Sequence, residues 1–417
     1  MSDLLIRNAR VFDGHSADCE EGLSVRVADG RIQEIGRALT APDDVTTIDA
    51  AGRTLMPGLI DGHIHAYASS LSVLQVETQG EAYRAAHALR MLEHALSCGF
   101  TTVRDMAGGN HSIAKAIADG LIQGPRYLYA GRALSMTGGH GDMRALEAPP
   151  RYTSACACDG GLFSNVFGVV ADGVDECLRA TREELRMGAH CIKIMGSGGV
   201  VSPTDPYWMN QYREDEIRAI VHECEARRTY ATAHCHPASA IRRCVEFGVS
   251  RIEHGSLIDA DTARFVAERG AYITPTLVTA VALTEAGRAL GMPAENLRKA
   301  DFVVAGMWEG LEHMRAAGVK VAFGTDLMGR LHTQQCREFT LRSRVFTPLE
   351  LLRQATSVGA EALMMAGEIG CVAVGACADL LLVDGDPLAD ISLLAQDGQR
   401  LSLVVRGGTV VRNSLPN

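Results

Sequence analysis

His63-Ile64-His65 is the first feature of this sequence with chemical content. In an extended strand, residues i and i+2 project to the same side, so both imidazoles can bind one metal ion. An H-x-H pair by itself is common and is ordinarily structural or superficial. This one closes Pro57-Gly58-Leu59-Ile60-Asp61-Gly62, a run of buried-strand character in which two histidines need a reason. Lys193 poses the same problem inside Cys191-Ile192-Lys193-Ile194-Met195. A buried ammonium is costly unless it is paired or chemically altered. One resolution is an ion pair with a neighbouring carboxylate. The other is reaction with carbon dioxide, which turns the cation into a carbamate (N6-carboxylysine) whose two oxygens can each hold a metal. His234, His254 in Ile252-Glu253-His254-Gly255, and Asp326 in Phe323-Gly324-Thr325-Asp326 end further apolar runs. Singly, each histidine could be a satisfied structural residue. Together they place metal-competent side chains at the ends of several different strands.

The elements that must position these residues follow from the hydropathy pattern. Strand-like runs recur at Gly58–His65, Thr101–Asp105, Arg126–Ala130, His190–Met195, Tyr230–His234, Arg251–His254, Ala271–Pro275 and Val319–Thr325. Amphipathic helical stretches separate them, among them Glu81–Ser97, Gly173–Met187, Arg213–Arg227 and Asp259–Glu268. This alternation predicts an α/β fold, a (β/α)8 TIM barrel over residues 57–365, with its chemistry at the C-terminal ends of the strands. The stretch Leu134–Ala171 is long for a connection and rich in Gly, Pro and Cys, so it is expected to lie over the site as a lid. Residues 1–56 and 366–417 read as short strands without helical period, as in Leu4–Asn8, Leu23–Ala28, Arg31–Ile35, Thr46–Asp49, Asp379–Val383 and Leu401–Arg406. The two ends are expected to pair into one small β-sandwich domain.

Composition excludes several function classes. The chain has 417 residues, 47% hydrophobic and 22% charged, in the ordinary range for a globular protein. A net charge of −10 argues against a nucleic-acid surface, which needs clustered Lys and Arg to displace counterions. No apolar run is long enough to span a membrane, and the N-terminal residues Met-Ser-Asp-Leu-Leu-Ile-Arg-Asn do not form a signal peptide. The twelve cysteines lack zinc-finger or disulfide-framework spacing and read as reduced thiols of a cytoplasmic protein. Cys156 and Cys158 form a C-x-C that is ordinarily incidental and alternatively metal-binding or redox-active.

The sequence resembles the amidohydrolase superfamily over nearly its whole length. The resemblance is carried by Pro57 to His65, Thr101-Thr102-Val103-Arg104-Asp105, Ile192-Lys193-Ile194-Met195, Ile252-Glu253-His254-Gly255 and Gly324-Thr325-Asp326. Within it, Ser135-Met136-Thr137-Gly138-Gly139-His140-Gly141 and Ser197-Gly198-Gly199-Val200-Val201-Ser202-Pro203-Thr204-Asp205-Pro206 are similar to the prolidase and Xaa-Arg dipeptidase group, which includes imidazolonepropionase-related proteins and N-acyl-amino-acid amidases.

That resemblance implies two Zn2+ ions, with Mn2+ or Co2+ as substitutes. One would take His63, His65 and Asp326 and the other His234 and His254, with carboxylated Lys193 and a hydroxide bridging them. Asp326 would accept the proton of the attacking hydroxide and pass it to the leaving amine. His140 would polarise the scissile carbonyl. Tyr230 would contact the substrate carboxylate, and the Gly198-Gly199-Val200 loop would offer backbone N–H groups to substrate. His236 and His332 depart from the group's pattern, either as structural residues or as residues that tune substrate choice. The implied reaction cleaves the amide of a dipeptide or N-acyl amino acid, with a lean towards release of Pro or apolar residues. The implied protein is a homo-oligomer, with an octamer as a candidate order. A cyclic-amide hydrolase of the hydantoinase or dihydroorotase kind is the second enzyme reading, and a non-catalytic binding protein the third. A mononuclear deaminase is disfavoured because Cys235-His236 stands where such enzymes use a glutamate.

Overall fold

Five short strands open the chain. In the computed structural model, which describes residues 3–40, 42, 45–144, 146–147, 165–202 and 204–415, β1 (Leu4–Val11) pairs antiparallel with β2 (Glu20–Ala28), and β2 with β3 (Arg31–Gly36). The β2–β3 hairpin turns on Asp29-Gly30, both at positive φ (51° and 75°), the backbone that a tight two-residue hairpin requires. β4 (Thr46–Asp49) and β5 (Thr54–Pro57) lie parallel to β1.

The chain then alternates strands with helices. In order come β6 (Leu59–Ile64), α1 (Val73–Thr78), α2 (Glu81–Ser97), β7 (Phe100–Asp105), α3 (His111–Ala118), β8 (Arg126–Tyr129), β9 (Ala133–Ser135) and β10 (Gly168–Val170). There follow α4 (Gly173–Arg186), β11 (Ile192–Met195), α5 (Glu214–Ala226), β12 (Ala231–Pro237), α6 (Ala238–Glu246), β13 (Arg251–Leu257), α7 (Ala260–Glu268), β14 (Tyr272–Thr274), α8 (Leu277–Ala286), α9 (Ala294–Ala316) and β15 (Lys320–Val321). β6, β7 and β8 pair in parallel, as do β9 and β11 to β15 in sequence. Every residue of β6, β7 and β11 is buried, as expected where helices cover a parallel sheet and side chains fill its interior. Backbone bonds join the two groups into one ring. His190 N donates to Tyr129 O at 2.8 Å, Gly62 N to Phe323 O at 2.8 Å, and Asp326 N to His63 O at 2.7 Å.

Two expectations need adjustment. The eighth strand is two residues long, because Phe323 N donates to Gln354 O, outside the ladder with β14. The terminal segments do join: β5 pairs antiparallel with β16 (Leu380–Val383), followed by β17 (Leu401–Arg406) and β18 (Thr409–Asn413). Among the described residues, however, all eight of these strands form a single sheet in place of two facing sheets. That sheet curls, so that Ile32 N reaches Ala376 O and Ala378 N reaches Gly30 O, both at 2.9 Å. The curl encloses its own core of Val25, Ile32, Leu55, Leu380 and Leu403. β15 and β16 are linked through a 3-10 turn over Gly329–Gln334 and the helices α10 (Arg337–Arg342), α11 (Pro348–Gln354) and α12 (Ser357–Ala362). Cys156, Cys158 and the middle of the expected lid fall outside the described residues. Among the described residues, no helix is long and apolar enough to cross a membrane.

Candidate metal centre

β6 delivers His63 and, one residue beyond its end, His65; β11 delivers Lys193, β12 delivers His234 and β13 delivers His254. Asp326 follows the short β15. All six line one cavity at the C-terminal ends of the strands. Asp326 Oδ1 lies 2.9 Å from His65 Nε2 and 3.3 Å from His63 Nε2, while Oδ2 lies 3.9 Å from His254 Nδ1. One donor atom each from His63, His254 and Asp326 falls within 4.8 Å of the others. The rings of His234 and His254 are 4.5 Å apart between centroids. Two of these residues hold unusual backbone: His254 at φ 70° and Asp326 at φ 57°. Non-glycine residues rarely occupy that region, and strain of this kind concentrates at functional sites.

The support around these residues is charged and buried. Glu253 Oε2 accepts from His63 Nδ1 at 2.8 Å, which leaves His63 Nε2 facing the cavity. Glu253 Oε1 in turn accepts from Arg104 Nη2 at 2.7 Å and Thr232 Oγ1 at 2.5 Å. His254 Nδ1 lies 2.8 Å from Thr276 Oγ1. Asp61 accepts from His63 N, Thr325 Oγ1 and Gln335 Nε2, tying the first strand to the segment after the eighth.

Burial and crowding set the charges. Burial first, then the neighbouring histidines His140 and His254, push His234 well below the usual imidazole range. Burial does the same for His254. Burial would raise the Asp326 carboxyl, but His63, His65 and His254 hold it well below the usual range. Lys193 is 2% exposed, burial lowers its pKa, and among the described residues it makes no ion pair within 4 Å. The neutral imidazoles of His234 and His254, the ionised carboxylate of Asp326 and a buried lysine without an ion pair meet in one cavity, a donor set for divalent cations.

His140 stands opposite. Its ring stacks on His234 at 4.2 Å, and its Nδ1 lies 2.8 Å from Ser202 Oγ and 3.4 Å from Asp205 Oδ2.

A family model for the amidohydrolase family matches residues 54–410, which include every one of these residues. The chain belongs to the amidohydrolase family. The ochratoxinase of Aspergillus niger is 32% identical over 370 residues, 86% of this chain and 75% of that protein. A crystal structure of an amidohydrolase superposes over 100% of both chains with a TM-score of 0.95 and 43% identity. A crystal structure of a prolidase complexed with N-methylphosphonate-L-proline covers 99% of this chain and 100% of its own, with a TM-score of 0.94 and 42% identity.

Three residues expected to contact the substrate have other partners in this amidohydrolase. Tyr230 precedes β12, four residues and therefore about 13 Å before His234 along the strand direction. Its side chain is buried at the opposite end of the barrel, where its hydroxyl accepts from Arg104 Nη1 at 3.1 Å and Arg251 covers its ring. The substrate contact that the resemblance implied for Tyr230 is therefore not available to its hydroxyl in this arrangement. The N–H groups of Gly198 and Gly199 are also spent internally, on Met209 O and Asp205 Oδ2, each at 2.9 Å. The glycines serve close approach instead: a Cβ on Gly199 would sit 2.2 Å from His140 Cε1, and one on Gly198 would sit 1.9 Å from Pro206 O. Val200 does line the cavity.

Other residues of the site had no assigned role in the sequence. His236 lines the cavity with Nδ1 3.2 Å from Ser256 Oγ, whereas His332 is buried beside His87. The loop bearing Asp205 is clamped from α9. Lys299 Nζ donates to Gly199 O, Ser202 O and Asp205 O, and Asn296 Nδ2 donates to Val200 O and Ser202 O. The signal available in the sequence for Arg104 and Glu253 was two opposite charges inside apolar strands, which must pair if buried.

Proposed function

We propose that this amidohydrolase binds two divalent cations, zinc by donor chemistry, and cleaves the amide joining an acyl group or an amino acid to a C-terminal amino acid. The observation that carries the proposal is the convergence of His63, His65, Lys193, His234, His254 and Asp326 on one cavity. His63, His65 and Asp326 would hold one ion, His234 and His254 the other, and carboxylated Lys193 both. The bound ions would supply a water of lowered pKa and a polarised carbonyl.

The chain's own residues do the rest. Lys193, its protonation disfavoured by burial, offers a neutral amine to carbon dioxide: an N–C bond forms, the nitrogen loses a proton, and an anion with two ligand oxygens results. Asp326 takes the proton of the attacking water and delivers it to the leaving nitrogen. His140, with Nδ1 anchored towards Ser202 and Asp205, presents its other edge to the oxygen that gains charge.

Substrate class follows from the wall of the cavity. Val73, Met143, Phe167, Val201, Leu283 and Val303 line it. Among the described residues, Asp326 is its only carboxylate and Lys193 its only lysine or arginine. Among the described residues nothing in that wall complements a charged side chain, which favours release of proline or an apolar amino acid. The prolyl phosphonate held by the prolidase supports the same reading. A library of dipeptides and N-acyl amino acids, assayed with zinc-loaded protein, tests it. Release of proline or apolar residues is expected; release of basic residues alone would contradict it.

A further inference from the structure

A second group of metal-competent side chains lies outside the catalytic cavity. His94 is in the last turn of α2, and Cys98 caps that helix four residues later. Residues i and i+4 share a helix face, and His94 Nε2 lies 3.6 Å from Cys98 Sγ. Cys336, the residue preceding α10, and Asp397, in the loop before β17, complete the group. One ligand atom each from Cys98, Cys336 and Asp397 falls within 4.8 Å of the others. Both cysteines are buried and free, and Asp397 is exposed at the edge, where an ion can enter.

The geometry points to a structural zinc site formed by Cys98, Cys336 and Asp397, which His94, outside that close group but in contact with Cys98, completes by turning its ring towards the ion. Tetrahedral zinc with bonds of about 2.3 Å to sulfur and 2.0 Å to nitrogen spans an S···N edge of about 3.5 Å, close to the spacing between His94 and Cys98. Two thiolates and an imidazole select zinc over magnesium or calcium. Four protein ligands close the shell, so the ion would be structural. The backbone supports the arrangement. Asp397 is itself at φ 48°, followed by Gly398, whose Cβ position would lie 2.1 Å from Ser97 O. The loop of the terminal sheet is therefore pressed onto the end of α2, and Arg412 Nη1 bonds Gly398 O at 2.9 Å to keep it there.

An ion in this position would fasten three distant parts of the chain: the first barrel helix, the segment after the eighth strand, and the terminal sheet. Cys336 follows Gln335, whose amide holds Asp61 beneath His63. The clamp would thus steady one support of the catalytic centre without touching it.

Cobalt loading of the full chain tests the site, because the catalytic residues include no cysteine. Cobalt-loaded wild type should show intense near-ultraviolet thiolate-to-cobalt absorption, and Cys98→Ser/Cys336→Ser should lack it and bind about one equivalent less metal. Asp397→Ala, at an exposed position, should keep its fold and its amidase activity with weakened absorption and a lower melting temperature. Absence of the thiolate band in wild type, equal metal content in wild type and the double variant, or a Cys98–Cys336 disulfide in the non-reduced peptide map would each overturn the site.

Discussion

Glu253 Oε2 sits 2.8 Å from His63 Nδ1, on the opposite side of the imidazole from Asp326. A carboxylate behind a ligating histidine fixes its tautomer, aims the other nitrogen at the metal and raises its basicity. The carboxylate is secured by the fully buried guanidinium of Arg104, so the orientation of the His63 ring depends on a buried ion pair. Glu253→Gln preserves volume but removes that charge. Zinc affinity should fall about 10- to 100-fold, and leaving Arg104 buried without its anion should cost about 3–5 kcal/mol. Competition with a chromophoric chelator and denaturant unfolding of the zinc-loaded protein measure the two effects.

Lys193→Ala should lose nearly all activity and at least part of its metal. Short carboxylic acids that fit the space left by the side chain should restore a measurable fraction of both, since they supply the bridging oxygens of the carbamate. Activity equal to wild type without added acid would rule out the carboxylated lysine.

Lys299 touches no part of the catalytic cavity's metal ligands, yet it binds three carbonyls of the loop that carries Asp205. Lys299→Met should release that loop and misplace His140, lowering kcat roughly 10- to 100-fold with metal content unchanged. A fall in metal content in step with activity would show that Lys299 acts through the metal centre instead.

Asp205 carries a pH signature. Although burial opposes it, the hydrogen bond with His140 lowers its carboxyl from 3.8 to about 2. A depressed carboxyl stabilises the fold above its unfolded pKa and loses that contribution as pH falls through the folded value. The shift is worth roughly 2 kcal/mol. The melting temperature of wild type should exceed that of Asp205→Asn by a constant margin between about pH 5 and 8, and the margin should close between about pH 4 and 2. A margin independent of pH down to 2 would place the stabilisation elsewhere.

The residues that meet in the cavity were more legible in the sequence than their surroundings. His63, His65, Lys193, His234, His254 and Asp326 were legible because polar side chains ended apolar strands, and alternation put them on one face. Helices α2, α4 and α5 were legible from their amphipathic period. Helix α8 was not, since its residues Leu277–Ala286 are apolar on all sides. The substrate contact expected of Tyr230 came from the resemblance alone, whereas its place at the start of the Tyr230–His234 strand, away from the C-terminal ends, already pointed to the core. The roles of Asp205, Lys299 and Asn296 were hidden for a different reason: their partners lie in a loop and a helix roughly 90 residues apart. The curled terminal sheet was foreseen as two β-rich ends, but whether they form one sheet or two depends on pairing that no local pattern encodes.

The proposed amide chemistry depends on metal held by these six residues. Its most direct test is to measure bound metal and hydrolysis of an N-acyl or prolyl dipeptide substrate together, before chelation, after it, and after zinc is restored. Activity should vanish as the metal leaves and return with it. Hydrolysis that persists in fully chelated protein would contradict the assignment.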